Sequence, residues 1–182
     1  MNKSFMGAFE GLKPDTIRRN SSKSLNWLFQ KIKKSRFDQG LLTGKPQVGG
    51  MYVYTYDAKT KEKLPYWDAT PVIVLLSFTQ NGFYGINWHY LSPGDRTVLI
   101  KNLLMFDNGK SKQFLREPYK RLLALSNGVW RFAVKRYLWG QVRSKFIPIQ
   151  KDEWQEAAAL PLARFRKATA TTVYRNARKF TK

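Results

Sequence analysis

The sequence predicts an α+β fold: a small, curved antiparallel sheet of the SH3-like partial-barrel kind, packed with several helices. Three observations carry that expectation. Residues 51–91 hold aromatic and β-branched runs punctuated by turn signals, whereas the segments on either side space their apolar residues three and four apart. The chain has 182 residues, 43% of them hydrophobic and 15% aromatic, so it is no disordered basic tail. A chain of this size buries roughly 70% of the surface its unfolded form exposes, which is enough for one real core.

Gly7, Gly11 and Pro14 break regular structure in the first twenty residues. Ser21, Ser22 and Ser24 then offer N-caps to a helix in LNWLFQKIKKSRF. Its apolar face is Leu25, Leu28, Phe29 and Ile32, and Lys23, Trp27, Lys31 and Lys34 fall opposite. GLLTGKPQVGG (40–50) reads as a linker, MYVYTY (51–56) as a strand and DAKTKEK as a polar connection. PVIVLLSF (71–78) is a continuous apolar run suited to a strand buried on both faces, and Asn81-Gly82 signals a hairpin into FYGINWHYL. Ser92-Pro93 opens a helix through DRTVLIKNLLMF, ended by Asn108-Gly109. SKQFLREPYKRLLALS, interrupted at Pro118, and VWRFAVKRYLWGQVRSKF both read as helical. IPIQKDEWQEAAALP holds a short helix with Asp152 or Gln150 as its cap and Pro161 at its end. The chain thus divides into a basic N-terminal segment with one amphipathic helix (1–46), a near-neutral β core with its following helix (47–110), a helical part (111–162) and a basic, helix-capable tail (163–182).

The 33 Lys and Arg against 12 Asp and Glu leave a net charge of +21. It is unevenly spread: +7 in residues 1–46, +1 in 47–110, +6 in 111–156 and +7 in 157–182. Self-repulsion of this size destabilises a compact chain unless an anion compensates it, and a solubility surface needs far less. A polyanion partner is the better reading, and nucleic acid is favoured over a membrane because no lipid-like amphipathic anchor accompanies the charge. No run of 18 apolar residues predicts a membrane span, and the first fifteen residues lack the apolar stretch of a secretory signal.

Catalytic constellations are sparse. The chain has no cysteine and one histidine, His89, which excludes disulfides, thiolate zinc sites and any chemistry needing two imidazoles. Gly40, Gly44 and Lys45 superficially resemble a phosphate loop, but the spacing is short and Pro46 stands where a hydroxyl residue would bind magnesium. Asp57, Glu62 and Asp68 are the acidic residues to weigh as a metal-dependent nuclease cluster; as residues around a polar connection they read better as turn formers and partners of Lys59, Lys61 and Lys63. His89, between two aromatics, reads as a hydrogen-bonded residue rather than a ligand or base. The expectation is a protein without catalytic residues, metal or cofactor.

The basic and aromatic residues carry the remaining signal. Trp67, Trp88, Trp130, Trp139 and Trp154 lie in apolar stretches and are expected in the core. Trp27, among lysines, either docks on protein or stacks on an exposed base. A continuous tail helix would align Arg164, Lys167, Thr171, Arg175, Arg178 and Lys182 over about 27 Å. The expected DNA contacts are therefore Lys23, Trp27, Lys31, Lys34, Arg164, Lys167, Arg175, Arg178 and Lys182. No motif for reading base sequence is present, so binding is expected to be sequence-independent.

The string GGMYVYTYDAKTKEKLPYWDATPVIV from Gly49, GFYGINWHYL from Gly82, and the later QVRSKFIPIQKDEW and LPLARFRK resemble the DNA end-protector proteins of contractile-tailed phages, over residues 49–167. The resemblance implies a minor virion protein added at head completion and bound to the end of the packaged double-stranded genome, which it shields from host exonuclease. It also implies portal or other head–tail connector neighbours, and a location in the virion and, during assembly and entry, the host cytoplasm. Two other readings remain: a structural head–tail connector subunit lining the DNA channel, and a magnesium-dependent nuclease using Asp57 and Asp68.

Overall fold

A computed structural model describes Lys34, Gly40 and residues 42–106, 129–159 and 165–179 of the chain. Its strands are β1 (Met51–Val53), β2 (Trp67–Asp68), β3 (Val72–Thr79), β4 (Gly82–Asn87), β5 (Val134–Leu138), β6 (Ile147–Ile149) and β7 (Phe165–Arg166). The helices are α1 (Pro93–Phe106), α2 (Val129–Ala133), α3 (Trp154–Ala159) and α4 (Ala170–Lys179). The α+β class holds. Five strands form one antiparallel sheet in the order β5-β4-β3-β1-β6, and β2 pairs with β7 as a separate ribbon. A barrel would pair β5 with β6; here both are edges, so the sheet stays open and the SH3-like closure is not present.

The period of two sorts the side chains onto two faces. Met51, Val53, Val72 and Val74 join Trp88, Ile100, Ile147, Ile149 and Trp154 in one cluster, beneath α1 and α3. Their neighbours Tyr52, Tyr54, Ile73 and Leu75 build an aromatic cluster with Phe83, Tyr137 and Phe146. Both faces of β3 are therefore covered, which is why its sequence is a continuous apolar run. A third cluster, with Leu76, Ile86, Leu99, Trp130 and Val173, ties the sheet to α1, α2 and α4. Leu76 follows Val72 and Val74 in the alternation, so it lies opposite the aromatic face, and the β3–β4 register shifts beside it.

Four expectations are corrected. The helical reading of 129–146 holds only for α2; Val134–Leu138 leaves the helix and pairs along the edge of β4, burying Tyr137 in the aromatic cluster. Tertiary pairing overrides local preference there. Ile147–Ile149 is a strand, and Pro148 is tolerated because β6 is an edge. The linker 40–50 is partly structured, since Thr43 exchanges both backbone hydrogen bonds with Phe146 at 2.9 and 3.0 Å. Of the five tryptophans expected in the core, Trp88, Trp130 and Trp154 are buried, Trp67 is half-buried and Trp139 is exposed.

The expected hairpin forms, with its turn one residue early: Thr79 pairs with Gly82, leaving residues 80–81 as the loop. No residue of that loop has a positive φ, so Gly82 does not serve the turn. A Cβ at Gly82 would collide with the Tyr137 carbonyl oxygen on β5. Gly82→Ala is expected to destabilise the protein by about 2–3 kcal/mol in urea unfolding, because backbone must move. A loss below about 0.5 kcal/mol would mean that β5 approaches less closely. The helix start at Ser92 is as expected: its hydroxyl accepts from Asp95 N at 3.3 Å and donates to the Asp95 carboxylate at 2.5 Å. Of the two cap candidates, Gln150 caps the turn before α3, its N–H donating to Glu153 Oε2 at 2.8 Å. Of the expected helix after Ser24 only Lys34 is described, in helical conformation; the segment 111–128, Asn108-Gly109 and Pro161 lie outside the described residues.

Candidate nucleic-acid interface

A pocket of about 630 Å³ opens where four parts of the chain meet: the loop from Tyr56 to Asp68, the end of β4, the α2–β5 junction and the last turns of α4. Its position follows from the corrections above. Because β5 lies on β4, Lys135 and Arg136 line the same space as Asn87 and Tyr90. Because β7 pairs with β2, the loop carrying Tyr66 and Trp67 is drawn against α4.

Its buried floor is a hydrogen-bonded network around Asp68. One carboxylate oxygen accepts from Thr70 N at 3.0 Å; the other accepts from Asn87 Nδ2 at 2.9 Å and from His89 Nδ1 at 2.6 Å. Asn87 Nδ2 also donates to Tyr137 Oη at 2.9 Å, and its carbonyl accepts from His89 N at 2.9 Å. His89 is thus a hydrogen-bonded core residue, as its sequence context implies, with Nε2 unpartnered among the described residues. Asp57 has other partners, Lys61 Nζ at 2.9 Å and Arg143 Nη2 at 3.8 Å, and the Lys61 hydrogen bond holds its carboxyl below the usual range. Among the described residues no three His, Cys, Asp or Glu side chains gather as a metal site.

The rim is cationic. Half-buried Lys135 places its ammonium 4.2 Å from the Tyr90 ring centre and 4.5 Å from that of Phe132, with no ion pair among the described residues. Burial lowers its pKa from the ordinary 10.5 to about 8. Arg136, which also donates to Asn81 Oδ1 at 2.7 Å, and exposed Lys179 complete the rim. A half-buried ammonium without a carboxylate costs stability, while its two ring contacts return about 1–2 kcal/mol. A pKa lowered from 10.5 to about 8 corresponds to about 3 kcal/mol, fully present below pH 8 and absent above 10.5, where folded and unfolded chains are both neutral. Burial also pushes Tyr90 and Tyr137 upward, so wild type and variant alike lose stability above pH 10, and the difference between them isolates Lys135. Lys135→Met is therefore expected to stabilise the protein by about 1 kcal/mol at pH 7, an advantage that disappears by pH 10.5. Equal losses of stability at both pH values would show that the ammonium is not penalised.

The residues expected to touch DNA fall differently from their sequence grouping. Lys23, Trp27, Lys31, Arg164 and Lys182 lie outside the described residues; Lys34 is exposed. The continuous tail helix is corrected: Phe165–Arg166 is a strand, Lys167 has a left-handed φ of 66°, and the helix begins only at Ala170. Lys167 Nζ donates to the carbonyls of Lys61 and Glu62 at 3.2 and 3.3 Å and lies 5.2 Å from the Trp67 ring centre, so it clamps the pocket's loop. Within α4, Val173 and Ala177 are buried and Tyr174 Oη accepts from buried Arg96 at 3.1 Å. Arg175 and Lys179 are exposed, and Arg178 belongs to the same helix. Sequence reasoning missed Lys135, Arg136 and Lys179; the alternation in VKRYL was the available signal for the first two.

A family model, the phage T4 terminal DNA protecting protein, matches residues 12–179. The chain belongs to this family. The match extends the resemblance read from residues 49–167 in both directions and takes in every element described above. No curated protein and no solved structure matches the chain. Among the described residues no helix is long and apolar enough to cross a membrane.

Proposed function

We propose that the chain is a non-enzymatic, sequence-independent DNA-binding virion protein that protects the ends of the packaged genome at head completion. The family match over residues 12–179 carries this reading. The net charge of +21 supports it, since phosphates are the anions that an excess of lysines and arginines neutralises without regard to sequence. The partner is double-stranded DNA at a genome end, with portal or other head–tail connector proteins beside it. The protein would act in the virion, and in the host cytoplasm during assembly and on entry.

Competition between linear and closed-circular DNA of one sequence, with and without magnesium, tests the reading. At low protein-to-DNA ratio the linear form should be retained preferentially and recovered intact under both conditions. Equal retention of circle and line would favour a connector that lines the DNA channel, and magnesium-dependent shortening would favour the nuclease. Replacing Arg175, which is exposed on α4, by Gln should weaken binding to unrelated sequences equally and lower the salt slope by about one contact. An effect that varied with sequence would place Arg175 at a base edge.

A further inference from the structure

We propose that the pocket receives the terminal nucleotide of a DNA strand, its base against the aromatic walls and its phosphates on Lys135 and Lys179. The inference rests on the end-binding reading above and assigns the site responsible for it.

Size is the first argument. A volume of about 630 Å³ lies in the range that encloses a small ligand, so it has room for a nucleotide and none for a stacked duplex. Charge complementarity is the second. Among the described residues Lys135, Arg136 and Lys179 line the pocket with one carboxylate, Asp68, which already accepts from Thr70, Asn87 and His89. Lys135 is half-buried without an ion pair among the described residues, an arrangement that a purely structural site would avoid by placing an apolar residue there. An incoming phosphate supplies the missing anion. The third argument is the wall chemistry: half-buried Tyr66 and Trp67 line the pocket, and stacking on rings tolerates any base.

Together these features give selectivity for ends without selectivity for sequence. A base inside a duplex is stacked and paired, and reaching the pocket would require flipping it out; a frayed or overhanging terminal base enters at far lower cost. A closed circle offers no such base. Phosphate contacts elsewhere on the protein bind both forms alike.

The test uses the full chain and three labelled DNAs: a hairpin with a short single-stranded extension, a blunt hairpin and a dumbbell closed at both ends. Affinities by fluorescence anisotropy should fall in that order for the wild type, by about tenfold from first to last. Lys135→Met should remove most of that spread, losing about tenfold on the extended end and less than about twofold on the dumbbell. Thymidine 5′-monophosphate should compete for the extended end better than thymidine or inorganic phosphate, because it presents both ring and charge. If Lys135→Met fails to melt cooperatively, Lys179→Gln, exposed on α4, carries the same comparison. A wild type that binds all three DNAs equally overturns the end-binding reading and the pocket with it. A wild type that prefers ends, with variants that keep the preference or lose equally on the dumbbell, overturns the pocket alone.

Discussion

Raising the salt concentration from 50 to 200 mM is expected to weaken DNA binding by about a thousandfold. A charge of +21, with +20 of it outside residues 47–110, permits six or more phosphate contacts, and each adds about −0.9 to the slope of log affinity against log salt. Titrations at four or five salt concentrations give the slope directly. A slope shallower than about −3 would mean that most of the positive charge does not meet phosphate and that affinity comes from elsewhere. Because counterion release depends on phosphate and not on bases, the slope should be the same for unrelated sequences. It should be steep for linear and circular DNA alike, whereas the preference for an end should survive the salt change better, since stacking in the pocket is not screened.

Asp68→Ala is expected to cost about 3–5 kcal/mol of stability. Two buried groups, His89 Nδ1 and Asn87 Nδ2, lose their acceptor, Thr70 N loses its own, and removing one member of a buried network leaves the others with the desolvation cost. Asp68 also belongs to β2, so the ribbon with β7 and the loop holding Trp67 should loosen with it. Urea unfolding of Asp68→Ala against Asp68→Asn separates the effects. Asn keeps a carbonyl that can accept from His89 and should cost less than Ala. If both variants unfold like the wild type, the Asp68–His89 contact is not a stabilising element of the pocket floor.

What the sequence made legible follows the range of the interactions involved. β3 and the β3–β4 hairpin were readable because a run of apolar residues and a turn signal are local features. The same holds for α1, opened by Ser92 and Pro93. β5 was not readable in that way: Val129–Ala133 and Val134–Leu138 continue one helix-compatible pattern, and only the distant edge of β4 decides where helix gives way to strand. That single difference hid Lys135 and Arg136, since only on β5 do they line one pocket with Asn87 and Tyr90. Trp67 illustrates the converse, because its apolar neighbours pointed to the core while the ribbon with β7 holds it half-buried at the pocket. Lys167 was legible as a cation but not as a clamp, because its carbonyl partners are more than a hundred residues away.

The central claim is that this protein shields DNA ends by occupying them. End-labelled linear duplex, titrated with protein and then exposed to a processive exonuclease, tests it most directly. The account predicts that the label survives when only a few copies are bound per molecule, and that Lys135→Met requires about tenfold more protein for the same survival. Survival that appears only when the whole duplex is coated would contradict it.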